Sequence, residues 1–99
     1  MIVIAGHLRI APEFVEDLAA ALRSLAPATL KEDGCYNYHF ALDDPAAGTI
    51  LVYERWRDQA ALAAHLALPS VGAVLGGFGD KISIEVRKFD ALNERGFMD

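Results

Sequence analysis

Glu54, Trp56 and His65 are the residues of this chain whose types and spacing could do chemistry together. They lie in one stretch, TILVYERWRDQAALAAHLAL from Thr49 to Leu68, which reads as a β-strand running straight into a short helix. Thr49 to Arg57 is rich in β-branched and aromatic residues, and Asp58 offers a side-chain oxygen to the free N–H groups of the next turn. Ala60 to Leu68 is dense in good helix formers. The two-residue period puts Ile50, Val52, Glu54 and Trp56 on one strand face, and Leu62, His65 and Leu66 share one side of the helix at i, i+3, i+4. If that side covers the even face of the strand, a carboxylate, an indole and an imidazole meet in one apolar space. His65 would then be a general base, because an imidazole titrates in the range needed to take a proton from a phenol or an activated C–H. Glu54 would orient it or bind a substrate hydroxyl, and Trp56 would stack on a planar substrate and exclude water. Each residue also has a plainer reading. His65 could be satisfied by Glu54 or a backbone carbonyl, Glu54 could bond across the strands to the Tyr38 hydroxyl, and Trp56 could simply be core.

The elements that must position these groups follow from periodicity. Ile2 to Ala11 alternates, with Ile2, Ile4, Gly6, Leu8 and Ile10 on the apolar face of a strand. Pro12 and the acidic Glu13, Glu16 and Asp17 suit a helix start, and Phe14, Leu18, Leu22 and Leu25 form its inward stripe. That helix is expected to reach about Lys31, with Pro27 kinking or shortening it and Gly34 stopping it. Cys35 to Leu42 is a second strand, with Tyr36, Tyr38, Phe40 and Leu42 on one face. Asp43 to Gly48 is a turn by composition, so the second and third strands form an antiparallel hairpin. The expected pairs are Leu42 with Ile50, Phe40 with Val52, Tyr38 with Glu54 and Tyr36 with Trp56, a register that makes Tyr36 and Tyr38 aromatic walls of the site. Pro69 breaks the chain after His65, Ser70 to Phe78 reads as a second short helix, and Lys81 to Leu92 as the last strand.

The order is strand, helix, strand, strand, helix in two pieces, strand. That is the β-α-β-β-α-β pattern of an α+β ferredoxin-like fold, an antiparallel sheet with helices on one face and the other face open. Residues 1–92 form the single domain and residues 93–99 a C-terminal tail without periodicity. Leu51, Tyr53 and Phe89 fall on the open face among His39, Arg55 and Arg87, a mixed surface that wants a partner. Two such sheets packed face to face make a dimeric α+β barrel, so a homodimer through the open sheet face is expected.

Composition excludes several classes. A 99-residue chain that is 54% hydrophobic has ample core material, and surplus apolar surface at this size tends to end in a subunit interface. A net charge of −5 argues against nucleic acid or an anionic membrane as main partners. No stretch has the roughly 18 consecutive apolar residues of a membrane helix, and the N-terminus lacks the pattern of a signal peptide. The single cysteine, Cys35, fits a reducing compartment, so a cytoplasmic protein is expected. His7 and His39 fall on the mixed faces, and the three histidines are too scattered to make a metal site. Gly76-Gly77-Phe78-Gly79 neither follows a strand nor carries Lys, Ser or Thr, which makes it poor as a phosphate loop.

Three segments carry a resemblance: IVIAGHLRIAP before an acidic helix, EDGCYNYHF after it, and VYERWRDQAALAAHL, similar to a Y-E-x-W…A-x-x-x-H core. In this order and spacing, across residues 1–90, the chain resembles the antibiotic biosynthesis monooxygenase family of dimeric α+β-barrel proteins. The family includes quinol and anthrone oxygenases that use neither metal nor flavin, haem-degrading enzymes and isomerases of small phosphorylated sugars. The resemblance implies pocket-lining roles for Trp56 and His65 and an acidic role for Glu54. The haem-degrading branch needs an asparagine on the first strand, where this chain has Gly6 or His7, so that branch is disfavoured. The expectation is a cofactor-independent oxygenation, by O2, of a small electron-rich aromatic that passes an electron to oxygen once deprotonated. His65 would be the base, Glu54 its orienter, and Trp56, Tyr36 and Tyr38 the walls, with no metal or cofactor. The alternatives are an isomerase of a small polar metabolite, or a non-catalytic binding dimer, which side chains filling the space between Trp56 and His65 would favour.

Overall fold

A computed structural model describes all 99 residues. Alternation of apolar and mixed positions makes strands β1 (Ile2–Arg9), β2 (Cys35–Asp44), β3 (Thr49–Trp56) and β4 (Ser83–Asp90). Between them lie helices α1 (Pro12–Arg23), α2 (Ala26–Thr29), α3 (Gln59–Leu66) and α4 (Pro69–Phe78). The strands form one antiparallel sheet in the order β2-β3-β1-β4, with the helices on one face. This is the ferredoxin-like α+β fold expected from the element order. No single helix is long and apolar enough to cross a membrane.

Proline placement explains where the first helical segment departs from the expected single helix. α1 ends at Arg23, before Pro27, and Pro27 sits in the first turn of the separate α2. A proline inside a helix removes a hydrogen bond and clashes with the preceding turn, so the break falls upstream of it and the ring is accommodated at a new start.

The even face of the sheet and α1 enclose a core of Leu8, Ile10, Val15, Leu18, Leu22, Ile50 and Val52, with Leu18 and Ile50 fully buried. Burying each of these two side chains is worth about 2 kcal/mol. A second core, Ile2, Tyr38, Trp56, Ala61 and Leu62, lies under α3. The functional residues sit where the two cores meet.

Three of the four expected β2–β3 pairs are present: Leu42 with Ile50, Phe40 with Val52, and Tyr38 with Glu54. The fourth is not. A register shift between Cys35 and Asn37 sets Cys35 opposite Trp56 and leaves Tyr36 out of the ladder. One extra residue in a strand turns the side chain there to the other face. Tyr36 is accordingly half exposed, and the Arg55 guanidinium lies 5.8 Å from its ring centre. The open sheet face also carries a His39–Tyr53 stack with ring centres 6.0 Å apart, and a His7–Asp43 pair at 3.3 Å.

Gly6 holds β1 against β4. Its φ of +147° is one that side chains rarely adopt, and a Cβ there would run into the carbonyl oxygen of Glu85. Gly6→Ala is expected to lower unfolding free energy by about 2 kcal/mol or more, read as a fall in the urea midpoint.

Candidate active site

His65 is carried by α3, which starts on Asp58. The Asp58 Oδ1 accepts the Ala61 N–H at 2.9 Å, the helix cap read from the sequence. From that start Ala61, Leu62 and His65 face the sheet, and the imidazole is 2% exposed. Its ring centre is 4.8 Å from that of Trp56 and 5.2 Å from that of Tyr38, the latter edge-on.

The carboxylate that holds His65 is not Glu54. His65 Nδ1 lies 2.9 Å from Glu32 Oε2, on the turn between α2 and β2. A carboxylate can only accept there, so Nδ1 carries the proton and Nε2 is the nitrogen left for a ligand. Glu54 is otherwise engaged, its Oε1 accepting the Trp56 Nε1–H at 2.9 Å. Adjacent positions on one strand face put the carboxylate beside the indole, which takes it before it can reach the imidazole.

Glu54 and His65 both line an apolar cavity of about 180 Å³ between sheet and helices. Ile4, Phe40, Val52, Val71 and Leu75 supply much of the wall, with Tyr38 at its edge. The mouth lies between Leu66 and Ile84, which are 57% and 65% exposed although they line the cavity. No buried polar side-chain atom is left without a hydrogen-bond partner.

The expected site residues therefore divide. Glu54, His65 and Tyr38 come together at the cavity. Trp56 is fully buried behind Glu54 and touches His65, but it is not part of the cavity wall. Indole and imidazole fill the space between each other, and the vacant volume lies on the sheet side of His65 instead. Tyr36 is removed from the site by the β2 bulge. Glu32 was missed: it is 33 residues from His65 in sequence, and only the turn before Cys35 brings it there. The one available signal was its place at the head of EDGCYNYHF.

Burial pushes the Glu54 carboxyl above its ordinary value, against the lowering effect of the Trp56 N–H and of charge on His65. Burial likewise raises the Tyr38 phenol, with the Glu54 charge adding to it. Burial pushes the Cys35 thiol up to about 11, which keeps it a neutral thiol at pH 7. No three His, Cys, Asp or Glu side chains come together as metal ligands.

The family model for antibiotic biosynthesis monooxygenases matches residues 1–75. The chain belongs to that family. A candidate antibiotic biosynthesis monooxygenase from Deinococcus radiodurans is similar over the full length of both chains, with 28% identity and a TM-score of 0.85. Rv0793 from Mycobacterium tuberculosis is 26% identical with a TM-score of 0.78, covering 96% of this chain and 97% of its own. An uncharacterized protein of Synechocystis, sll1783, is 32% identical over 68 residues, which are 69% of this chain and 46% of that relative. The chain thus spans about half the length of that curated relative.

The raised Glu54 carboxyl has a consequence for stability in this family member. A carboxyl whose folded pKa lies above its unfolded value near 4.5 favours folding below that value and loses the contribution as pH rises through the folded pKa. Glu54→Gln keeps an oxygen for the Trp56 N–H and removes the buried charge. The variant is expected to be more stable than the parent at pH 8 by about 1 kcal/mol, with the gap closing below pH ~4, in urea titrations across that range.

Proposed function

We propose that this family member is a cofactor-independent monooxygenase that oxidises a small electron-rich aromatic of the quinol type with O2. The observation that carries the reading is His65: its Nδ1 is fixed by Glu32, and the ring lines an apolar cavity. A base of fixed tautomer in a space poor in water is the equipment needed to make a phenolate and leave it reactive.

The substrate hydroxyl gives its proton to Nε2. The phenolate passes an electron to O2, the two radicals combine in a C–O bond, and the hydroperoxide breaks at O–O, leaving one oxygen on the ring and the other in water. Glu54, raised by burial, lines the same cavity and would hydrogen-bond the second substrate oxygen, and Trp56 holds Glu54 in place. Tyr38 and Phe40 supply aromatic surface. A dry cavity of about 150 Å³ accommodates benzene, so the volume here suits one substituted ring better than the three of an anthrone. The wall carries no Lys or Arg, which speaks against the isomerase of a phosphorylated sugar. The filled space between Trp56 and His65 favours the non-catalytic binding dimer, the vacant cavity lined by His65 and Glu54 favours the oxygenase, and turnover separates the two.

In an oxygen electrode, metal-stripped protein with single-ring quinols is expected to take up O2 above the autoxidation background. His65→Ala should lower the rate about 100-fold or more, while Tyr36→Phe, on the far face, leaves it unchanged. Full uptake by His65→Ala would overturn the assignment.

We also propose that two copies pair through the open sheet face, where Leu51, Tyr53 and Phe89 are 45%, 38% and 53% exposed. Leu51→Glu, which puts a charge in that contact, is expected to give a monomer in sedimentation velocity where the parent is a dimer.

A further inference from the structure

Glu32 sits in the wall between two spaces. On the outer side of α3 a second groove of about 360 Å³ is lined by Glu32, Arg57, Ala60, Ala64 and Leu68 among others. His65 lines the inner cavity but not this groove, and Glu32 lines the groove but not the cavity. Their 2.9 Å contact is the polar link between the two, running from a side chain 2% exposed to one 22% exposed.

No lysine or arginine pairs with the Glu32 carboxylate. Arg57 is the cation in the groove, and it is committed elsewhere: Nη1 and Nη2 donate to Asp33 at 2.9 and 3.1 Å, and Nε donates to Asp58 at 3.0 Å. An arginine clamped on Glu32 would have locked it as an acceptor and taken it out of proton transfer. The backbone fixes Glu32 in a turn, its N–H donating to Thr29 O at 3.0 Å and its carbonyl accepting the Cys35 N–H at 3.2 Å. The small side chains of Ala60, Ala61 and Ala64 leave the groove open to water. The other titratable groups near the pair are Glu54 and Tyr38 on the inner side, Asp33 and Arg57 on the outer, and the Cys35 thiol at the start of β2.

We propose that Glu32 is a proton relay, carrying protons between His65 and bulk solvent through the outer groove. The inference rests on His65 being the base of the reaction above. When Nε2 takes the substrate proton the ring is briefly an imidazolium. Nδ1 gives its proton to Glu32, and the carboxylic acid releases it to water, leaving a neutral ring protonated at Nε2. When Nε2 returns its proton to the peroxide oxygen, Nδ1 recovers one from water by way of Glu32, and the starting tautomer is restored. One proton leaves and one enters, no electrons move, and the imidazolium does not persist in an apolar interior where a charge is costly.

The test needs neither substrate nor O2. The His65 ring is followed by 15N NMR, reading both its tautomer and the exchange of the Nδ1 proton with water. Glu32→Gln keeps an oxygen for Nδ1–H but cannot pass a proton on, so the tautomer should persist while exchange slows at least tenfold. Ala64→Phe puts a ring into the groove without replacing either member of the pair and should slow exchange in the same way, which covers the case in which Glu32→Gln fails to fold. In Glu32→Ala, added formate should restore exchange in proportion to its concentration. Unchanged exchange in either Glu32→Gln or Ala64→Phe overturns the relay. Because the readout is exchange in the resting protein, failure of the relay is distinct from failure of the oxygenase reading, which an absence of O2 uptake would show by itself.

Discussion

A carboxyl and an imidazole, Glu54 and His65, are held in a largely apolar interior, and the structure depends on each having a partner. A buried polar group without one costs about 1–3 kcal/mol, and a charged one more. Against a domain stability of roughly 5–15 kcal/mol, two such losses would be decisive. The Trp56 indole meets the need of Glu54, and Glu32 meets that of His65. Both partners come from outside the cavity wall, which leaves the inner sides of the carboxyl and the imidazole for a ligand.

The cavity exists because two cores abut without merging. α1 closes the sheet at one end and α3 at the other, and the space between them is roofed by α4. That helix carries Gly72, Gly76 and Gly77, and a Cβ at any of them would meet nothing within 4 Å. Each glycine costs a helix about 1 kcal/mol relative to alanine, which weakens α4 as a covering element. Its Val71 and Leu75 reach the cavity, so a helix weakened by glycine forms part of the cavity wall.

Charge is distributed to the same end. Arg57 is tied to Asp33 and Asp58 on the surface, and Arg55 to Asn37, Glu94 and the Met1 sulfur on the open-face side. No lysine or arginine lines the cavity, so the carboxyl there is neutralised by protonation more readily than by pairing, and the imidazole is hydrogen-bonded to a single carboxylate on its outer side.

Local chemistry made much of this legible in advance. Period-two alternation determined the four strands and the inward direction of Glu54, Trp56 and Tyr38; Asp58 determined where α3 begins and hence that His65 points at the sheet. Those signals act within a few residues, through side-chain direction and helix capping, and so they survive in the linear order. Tyr36 and Glu32 obeyed neither. Tyr36 was lost to the site by a bulge, an extra residue accommodated by the pairing of two strands rather than by either strand's own pattern. Glu32 gained His65 across 33 residues, because folding brought the turn before β2 against α3. Glu54 was kept from His65 by a competitor two residues along its own strand, a contest decided by reach and angle. The sequence by itself determined which faces are apolar and which residues could do chemistry. Only the tertiary structure decided which carboxylate holds the imidazole and where the empty space lies, since both follow from distances between elements that no spacing along the chain encodes.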